Sequence, residues 1–243
     1  MDVVHERKFH LVVLAAGSGT RAGAGAPKQF ALDDQGISLL HHSLARATRS
    51  VRWDSITIAV PRARLGTAER TIESLALAGA RVVAGGARRI DTLRLSIAAV
   101  EGSDQDVCVV HDGVRPFTPP DLFVRVTSAL SDQAVDACWP MSSARDTAVF
   151  ASQSQGPTVI PADEVSIAAT PIAIRFGALV RALEADTPLQ DILIDRILRT
   201  GARWTHVENP WWNLKVTTSA DMDAVLHLLN RNAGHDPPTM QGH

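Results

Sequence analysis

Residues 11–30, LVVLAAGSGTRAGAGAPKQF, constrain the fold more than any other stretch of the chain. The apolar run from Leu11 to Ala15 reads as a buried strand. It empties into a segment holding Gly17, Gly19, Gly23 and Gly25, interrupted by Arg21 and closed by Pro27 and Lys28. A buried strand that runs into a glycine-rich, cationic loop is suited to polyphosphate. Glycines let the backbone approach an anion and aim N–H groups at it, and Arg21 and Lys28 add positive charge. A dinucleotide fingerprint would need G-x-G-x-x-G and an acid about 20 residues on. Gly17 and Gly19 fit, but Ala22 stands at the third glycine, and Asp33 and Asp34 come too early. A Gly-Lys-Ser/Thr phosphate loop is absent too, since Lys28 lies between Pro27 and Gln29. What remains is a loop with its own Arg and Lys or, more blandly, a glycine-rich turn with incidental charges.

Strand, glycine loop and helix occur a second time. Residues 81–84 (RVVA) read as a short strand, followed by Gly85-Gly86-Ala87-Arg88-Arg89 and a helix over residues 90–100 with Leu93, Ile97 and Val100 inward. Between the two units, residues 36–50 carry Leu39, Leu40, Leu44 and Ala47 at helical spacing, with His41 and His42 read as solvated or packing residues. Residues 53–60 form a buried strand, and Pro61 can open a helix running to residue 78. Residues 106–110 (DVCVV) are apolar throughout, as in central parallel strands. They end in His111-Asp112-Gly113-Val114-Arg115-Pro116. Groups at the carboxyl end of a parallel strand face the ligand crevice, so Asp112 and Arg115 are candidate site residues. The alternative is a structural Asp–Arg pair closing a turn.

Thr118-Pro119-Pro120-Asp121 reads as a helix start that residues 122–130 continue, and a strand follows over 135–141. Residues 142–168 change character, becoming rich in Ser, Gln, Thr and Pro, with β-type pieces at 147–150 and 158–160. They predict a hairpin arm leaving the core. Helices over about 175–184 and 188–199 and a strand over 204–208 complete the pattern. Trp211 and Trp212 offer either a stacking platform or packing. Thr218 can cap a last helix with Asp221 in a capping-box arrangement, anchored by Leu226, Leu228 and Leu229. Residues 1–233 read as one domain including the arm, and 234–243 as a disordered tail.

Composition narrows the function. With 243 residues and 45% hydrophobic content, the chain suits one large α/β domain. Its formal charge of −2 implies no basic face for nucleic acid. No run of about 20 apolar residues predicts a membrane span, and the N-terminus lacks a signal-peptide core, so the expected location is cytoplasmic. Cys108 and Cys138 read as buried free thiols, and no metal-ligand set is assigned. Of 24 Lys and Arg, only Lys8, Lys28 and Lys215 are lysines. A chain that uses Arg almost everywhere retains Lys28 and Lys215 at two strand-to-helix junctions, where a compact ammonium has chemical use.

The ordered set AAGSGTR…PKQ, GG-x-x-R, HD-x-x-RP, TP and N-L-K-V-T resembles the methylerythritol phosphate cytidylyltransferase family of isoprenoid precursor synthesis, which is related to ribitol phosphate cytidylyltransferases. The resemblance covers roughly residues 9–229. It implies a Rossmann-like, mostly parallel α/β sheet of the nucleotide-diphospho-sugar transferase type, with a protruding β-arm that embraces a second subunit. It also implies transfer of CMP from CTP to a polyol phosphate, with pyrophosphate released and Mg²⁺ bound mainly through the triphosphate. On matching positions, Ala15, Ala16, Gly17 and Gly19 would wrap CTP, and Gly86 and Thr92 would read cytosine. Arg21, Lys28 and Lys215 would stabilise charge as catalytic residues. Asp112, Arg115 and Thr170 would bind the acceptor. Two departures fall on the acceptor side. Ala162 stands where the family carries an arm arginine, with no cation between Arg145 and Arg175, and Leu189-Gln190-Asp191 replaces an acidic stretch. Methylerythritol 4-phosphate is the first expectation for the acceptor. Another polyol or sugar phosphate, or a nucleotide-binding paralogue with little catalysis, is the alternative.

Overall fold

The computed structural model describes residues 6–17, 27–152, 156–187, 189 and 191–231. They form ten strands and seven α-helices. The strands are β1 (Phe9–Leu14), β2 (Ser55–Val60), β3 (Arg81–Ala84), β4 (Val107–Asp112), β5 (Ala137–Ser143), β6 (Ala148–Ser152), β7 (Gly156–Ile160), β8 (Ser166–Ala168), β9 (Ile172–Arg175) and β10 (Trp204–Glu208). The helices are α1 (Leu39–Ala47), α2 (Leu65–Ser74), α3 (Arg89–Ile97), α4 (Pro120–Ser128), α5 (Phe176–Glu184), α6 (Leu193–Arg199) and α7 (Ser219–Arg231).

The main sheet runs β10-β5-β9-β4-β1-β2-β3, with β8 added to β5. Pairings among β4, β1, β2 and β3 are parallel, as is β5 with β10, whereas β9 lies antiparallel between β4 and β5. Central strands are apolar on both sides because helices cover both faces. Val12 and Leu14 of β1 pack with Ile90, Leu93 and Ile97 of α3 and with Phe176 and Leu179 of α5. Leu11 and Val13 point the other way, toward Leu40 and Leu44 of α1 and Phe123 and Val126 of α4. Cys108 and Cys138 are buried free thiols, as expected. The order reverses at β1, which has β2 on one side and β4 on the other, and such a reversal opens a crevice at the strands' carboxyl ends.

The main departure from expectation is β9. The sequence pattern runs Ile172–Arg175 straight into the following helix with no turn residue between, so the two apolar pieces read as one. Arg175 in fact closes the strand and stands at the N-cap of α5, with extended backbone. Helix starts also move. Ser38 caps α1 by accepting the His41 N–H at 3.2 Å, so the helix begins at Leu39 rather than residue 36. A 3-10 turn, Arg62–Arg64, separates Pro61 from α2. In α7 the expected cap forms reciprocally: Asp221 N donates to Thr218 Oγ1 at 3.2 Å, and Thr218 N donates to Asp221 Oδ2 at 2.7 Å. Its buried anchor is Val225, seated with Leu39, Phe117 and Val216, while Leu228 faces outward.

The arm is a hairpin of β6 and β7, as the two β-type pieces predict. Its roots belong to the main sheet, because Ser142 and Ser143 pair with Ile167 and Ser166. Val149, Phe150, Val159 and Ile167 are each more than half exposed along this projection.

Candidate active site

A cavity of about 550 Å³ opens at the carboxyl ends of β1, β3 and β4. Ala15, Ala16 and Gly17 form one wall, Gly86 to Arg89 and Thr92 a second, and Lys28, Asp112 and Lys215 to Thr217 the remainder. Among the described residues its lining carries four cationic side chains and one carboxylate. In a chain of net charge −2, that local excess of positive charge selects an anionic ligand.

Close backbone approaches build the first two walls. A Cβ on Gly85 would stand 2.1 Å from the Ala16 Cβ, and one on Gly113 would stand 2.9 Å from the Ala15 Cβ. The turn after β1 is thus pressed between the turns after β3 and β4, and neither glycine can gain a side chain without moving it. Gln29, buried at the end of Pro-Lys-Gln, donates through Nε2 to the Ala15 carbonyl and to the Gly17 carbonyl, the latter at 3.1 Å. It fixes the start of the glycine loop, a role the sequence motif contains but does not explain. Gly19 and Arg21 lie outside the described residues. Lys28 donates through Nζ to the Thr217 carbonyl and so ties this loop to the segment carrying Lys215. On the second wall, the Thr92 hydroxyl accepts the Gly86 N–H at 3.0 Å and donates to the Arg88 carbonyl at 3.1 Å. Those bonds hold the Gly86 peptide, the expected base reader, in one orientation.

Asp112 is the electrostatic centre. It ends β4 with 2% exposure, and three cations converge on it. Arg89 Nη1 lies 2.6 Å from Oδ1, Lys215 Nζ 3.1 Å from Oδ2, and Arg115 Nε 3.4 Å from Oδ2. Burial pushes the carboxyl pKa up. The charges of Arg89, Lys215 and Arg115 overcome this and hold it well below the usual carboxylate range. One buried anion thereby gathers cations that would otherwise repel one another.

Arg115 and Thr170 sit behind the cavity wall. Arg115 is buried and donates from Nη1 to the Asn213 carbonyl at 2.7 Å, so the structural Asp–Arg pair weighed from the sequence is present. Thr170 Oγ1 accepts the Asp112 N–H at 3.2 Å and lies 3.2 Å from His111 Nδ1. Asn213 Nδ2 donates to the Thr170 carbonyl at 2.9 Å, and Asn213 Oδ1 accepts from Thr118 Oγ1 at 2.7 Å. Burial pushes the His111 imidazole down to about 3, so it is neutral there. The buried layer of His111, Arg115, Thr118, Thr170 and Asn213 supports Asp112 and the Lys215 segment from below. Ala15, Ala16, Gly17, Lys28, Gly86, Thr92, Asp112 and Lys215 therefore meet around one cavity. Trp211 and Trp212 do not line it; they meet edge to face at 5.7 Å, and Trp211 is half exposed. Arg89, which the sequence pattern left without a role, does line it.

A mostly parallel α/β sheet with an anion cradle at its switch point defines a nucleotidyltransferase-type fold and site. The comparisons narrow the class. The chain belongs to the IspD family, described as 2-C-methyl-D-erythritol 4-phosphate cytidylyltransferase, whose family model matches residues 9–231. It is 30% identical over 229 residues to a protein of that name from Geotalea uraniireducens, covering 90% of this chain and 97% of that one. Another of the same name, from Geobacter metallireducens, is 29% identical over 218 residues, covering 87% and 93%. The crystal structure of 4-diphosphocytidyl-2C-methyl-D-erythritol synthase from Anaerococcus prevotii superposes with a TM-score of 0.78 at 21% identity. It covers 93% of this chain and 97% of that one, and shows the shared fold.

Proposed function

We propose that the chain transfers CMP from CTP to 2-C-methyl-D-erythritol 4-phosphate and releases pyrophosphate. The observation that carries this is the convergence of Arg89, Lys215 and Arg115 on Asp112 beside the Ala15–Gly17 wall, within the family's ordered motifs. An oxygen of the acceptor phosphate attacks the α-phosphorus in line. The new P–O bond forms as the α–β bridging bond breaks, and its electron pair leaves with pyrophosphate. Catalysis is then positioning and charge stabilisation. In this assignment Lys28 and Arg21 have the role of stabilising triphosphate charge, and Lys215 flanks the reacting phosphates. Gly86 and Thr92 read the base, and Asp112 holds the acceptor with support from Arg115 and Thr170.

Among the described residues no group of three or more His, Cys, Asp or Glu could hold a metal ion. A Mg²⁺ ion would be held here mainly through the nucleotide's own phosphate oxygens, where it would neutralise triphosphate charge. The exposed apolar side chains of the arm, Phe150 and Val159 among them, suit burial against a second copy, and we assign the arm as the contact of a homodimer. None of the described helices is long and apolar enough to cross a membrane, in keeping with action in the cytoplasm. Pyrophosphate release from CTP and Mg²⁺, measured with methylerythritol phosphate and other polyol phosphates as acceptors, tests the activity. Release with methylerythritol phosphate is the expected result.

A further inference from the structure

The GG-x-x-R motif ends on a side chain to which the mechanism above gives no task. Arg89 is the first residue of α3, immediately after the loop that carries Gly86. From there it reaches Asp112 at the end of β4, on the acceptor side of the cavity. Its side chain is 38% exposed and lines the cavity.

The demand for cations in this cavity is specific. Joining a phosphomonoester to a nucleoside triphosphate brings two polyanions together, and each phosphate needs donors of its own. Among the described lining residues, Lys28 reaches the Thr217 carbonyl, and Arg88 is held by both oxygens of Asp91 at 2.9 Å. Lys215 meets Asp112 Oδ2. Arg89 approaches Asp112 most closely through Nη1, 2.6 Å from Oδ1, in an ion pair that lacks hydrogen-bond alignment. A guanidinium carries five N–H donors in a planar fork. One edge can rest on Asp112 while the other meets a second oxyanion. The arm meanwhile supplies no cation: Ala162 opens a 3-10 turn whose other members are Asp163 and Glu164, and residues 146–174 hold no Lys or Arg.

We propose that Arg89 is the residue that binds the acceptor's phosphate, from within the same subunit, using the donors that its contact with Asp112 leaves unspent. This assignment rests on the cytidylyl transfer proposed above. It makes the enzyme specific for a phosphorylated acceptor through a side chain fixed at a helix start rather than on the arm.

The test is steady-state kinetics of wild type, Arg89→Gln and Arg89→Lys, varying methylerythritol phosphate and CTP separately, with melting curves to confirm folding. Loss of charge-assisted hydrogen bonds to phosphate predicts a rise of about ten-fold or more in acceptor KM for Arg89→Gln, with CTP KM within about two-fold of wild type. Arg89→Lys should recover only part of the loss, because one ammonium cannot span Asp112 and a phosphate together. It also carries the test if the Gln variant does not fold. An unchanged acceptor KM, a rise confined to CTP, or full recovery by Lys would overturn the assignment; full recovery would reduce Arg89 to neutralising Asp112. If wild type itself releases no pyrophosphate with methylerythritol phosphate, the activity fails and this role with it. Wild-type turnover beside unaffected variants removes this role alone.

Discussion

Arg115 Nε stands 3.4 Å from Asp112 Oδ2, and both side chains are less than one-tenth exposed. The pair is the buried root of the cavity's charge arrangement, since Arg89 and Lys215 reach the same carboxylate from the open side. Arg115 also holds the Asn213 carbonyl, two residues before Lys215. A single buried contact thus links the turn after β4 to the segment that supplies the second cavity lysine.

Replacing Asp112 with Asn removes the one anion among three cations and leaves Arg115 buried beside a neutral amide. Breaking a buried pair from one side costs about 3–5 kcal/mol, so Asp112→Asn should be destabilised by roughly that much in denaturant unfolding. The folded pKa of Asp112 is depressed, so its stabilisation is fully present above the unfolded value of 3.8 and is lost as pH falls through the folded pKa. The difference between wild type and variant should therefore be constant from pH 5 to 8 and shrink only in strong acid. A difference that grows on acidification would contradict this.

His111 predicts a separate pH effect of opposite origin. Its pKa drops from 6.5 to about 3 on folding because burial disfavours the imidazolium. Between those values the unfolded chain binds a proton that the folded chain does not, so stability rises with pH, by at most about 1.4 kcal/mol per unit from this one group. Histidine ring NMR should show no titration of His111 between pH 5 and 8. His111→Gln should flatten the stability profile between pH 4 and 6, and an unchanged slope would refute the account.

Thr92 isolates the nucleotide wall. Its buried hydroxyl accepts the Gly86 N–H, and among the described residues of that wall Thr92 carries the hydroxyl. Thr92→Ala should raise CTP KM roughly two- to ten-fold, the size of one net hydrogen bond, and leave acceptor KM unchanged. Thr92→Ser keeps the oxygen and should behave as wild type. An equal loss in both variants would mean that the methyl packing, not the hydroxyl, carries the effect.

The sheet and the strand-to-loop junctions that line the cavity were legible because their signals are local. Strands β1 and β4 carry apolar runs, and the glycine loops sit directly beside the strands they follow. Strand β9 was not legible, because IAIR merges with the helix behind it and only its antiparallel partners β4 and β5 define it. The placement of Arg115 was open for the same reason. An Asp-x-x-Arg spacing fits a ligand contact and a buried pair equally well, and the choice is made by Asn213, 98 residues away. Gln29 and Arg89 stood inside quoted motifs, yet their partners, Ala15 and Asp112, lie on other turns. Long-range pairing is what a residue pattern does not contain.

The most direct test of the central claim is pyrophosphate release from CTP and Mg²⁺ with methylerythritol phosphate, run on wild type and Lys28→Ala side by side. Wild type should release pyrophosphate only when both substrates are present. Lys28→Ala should lose about a hundred-fold or more in turnover, as expected for removal of a cation that meets charge developing on the phosphates. Wild type that binds CTP yet releases no pyrophosphate with this acceptor, or a Lys28→Ala variant with near-normal turnover, would contradict the account.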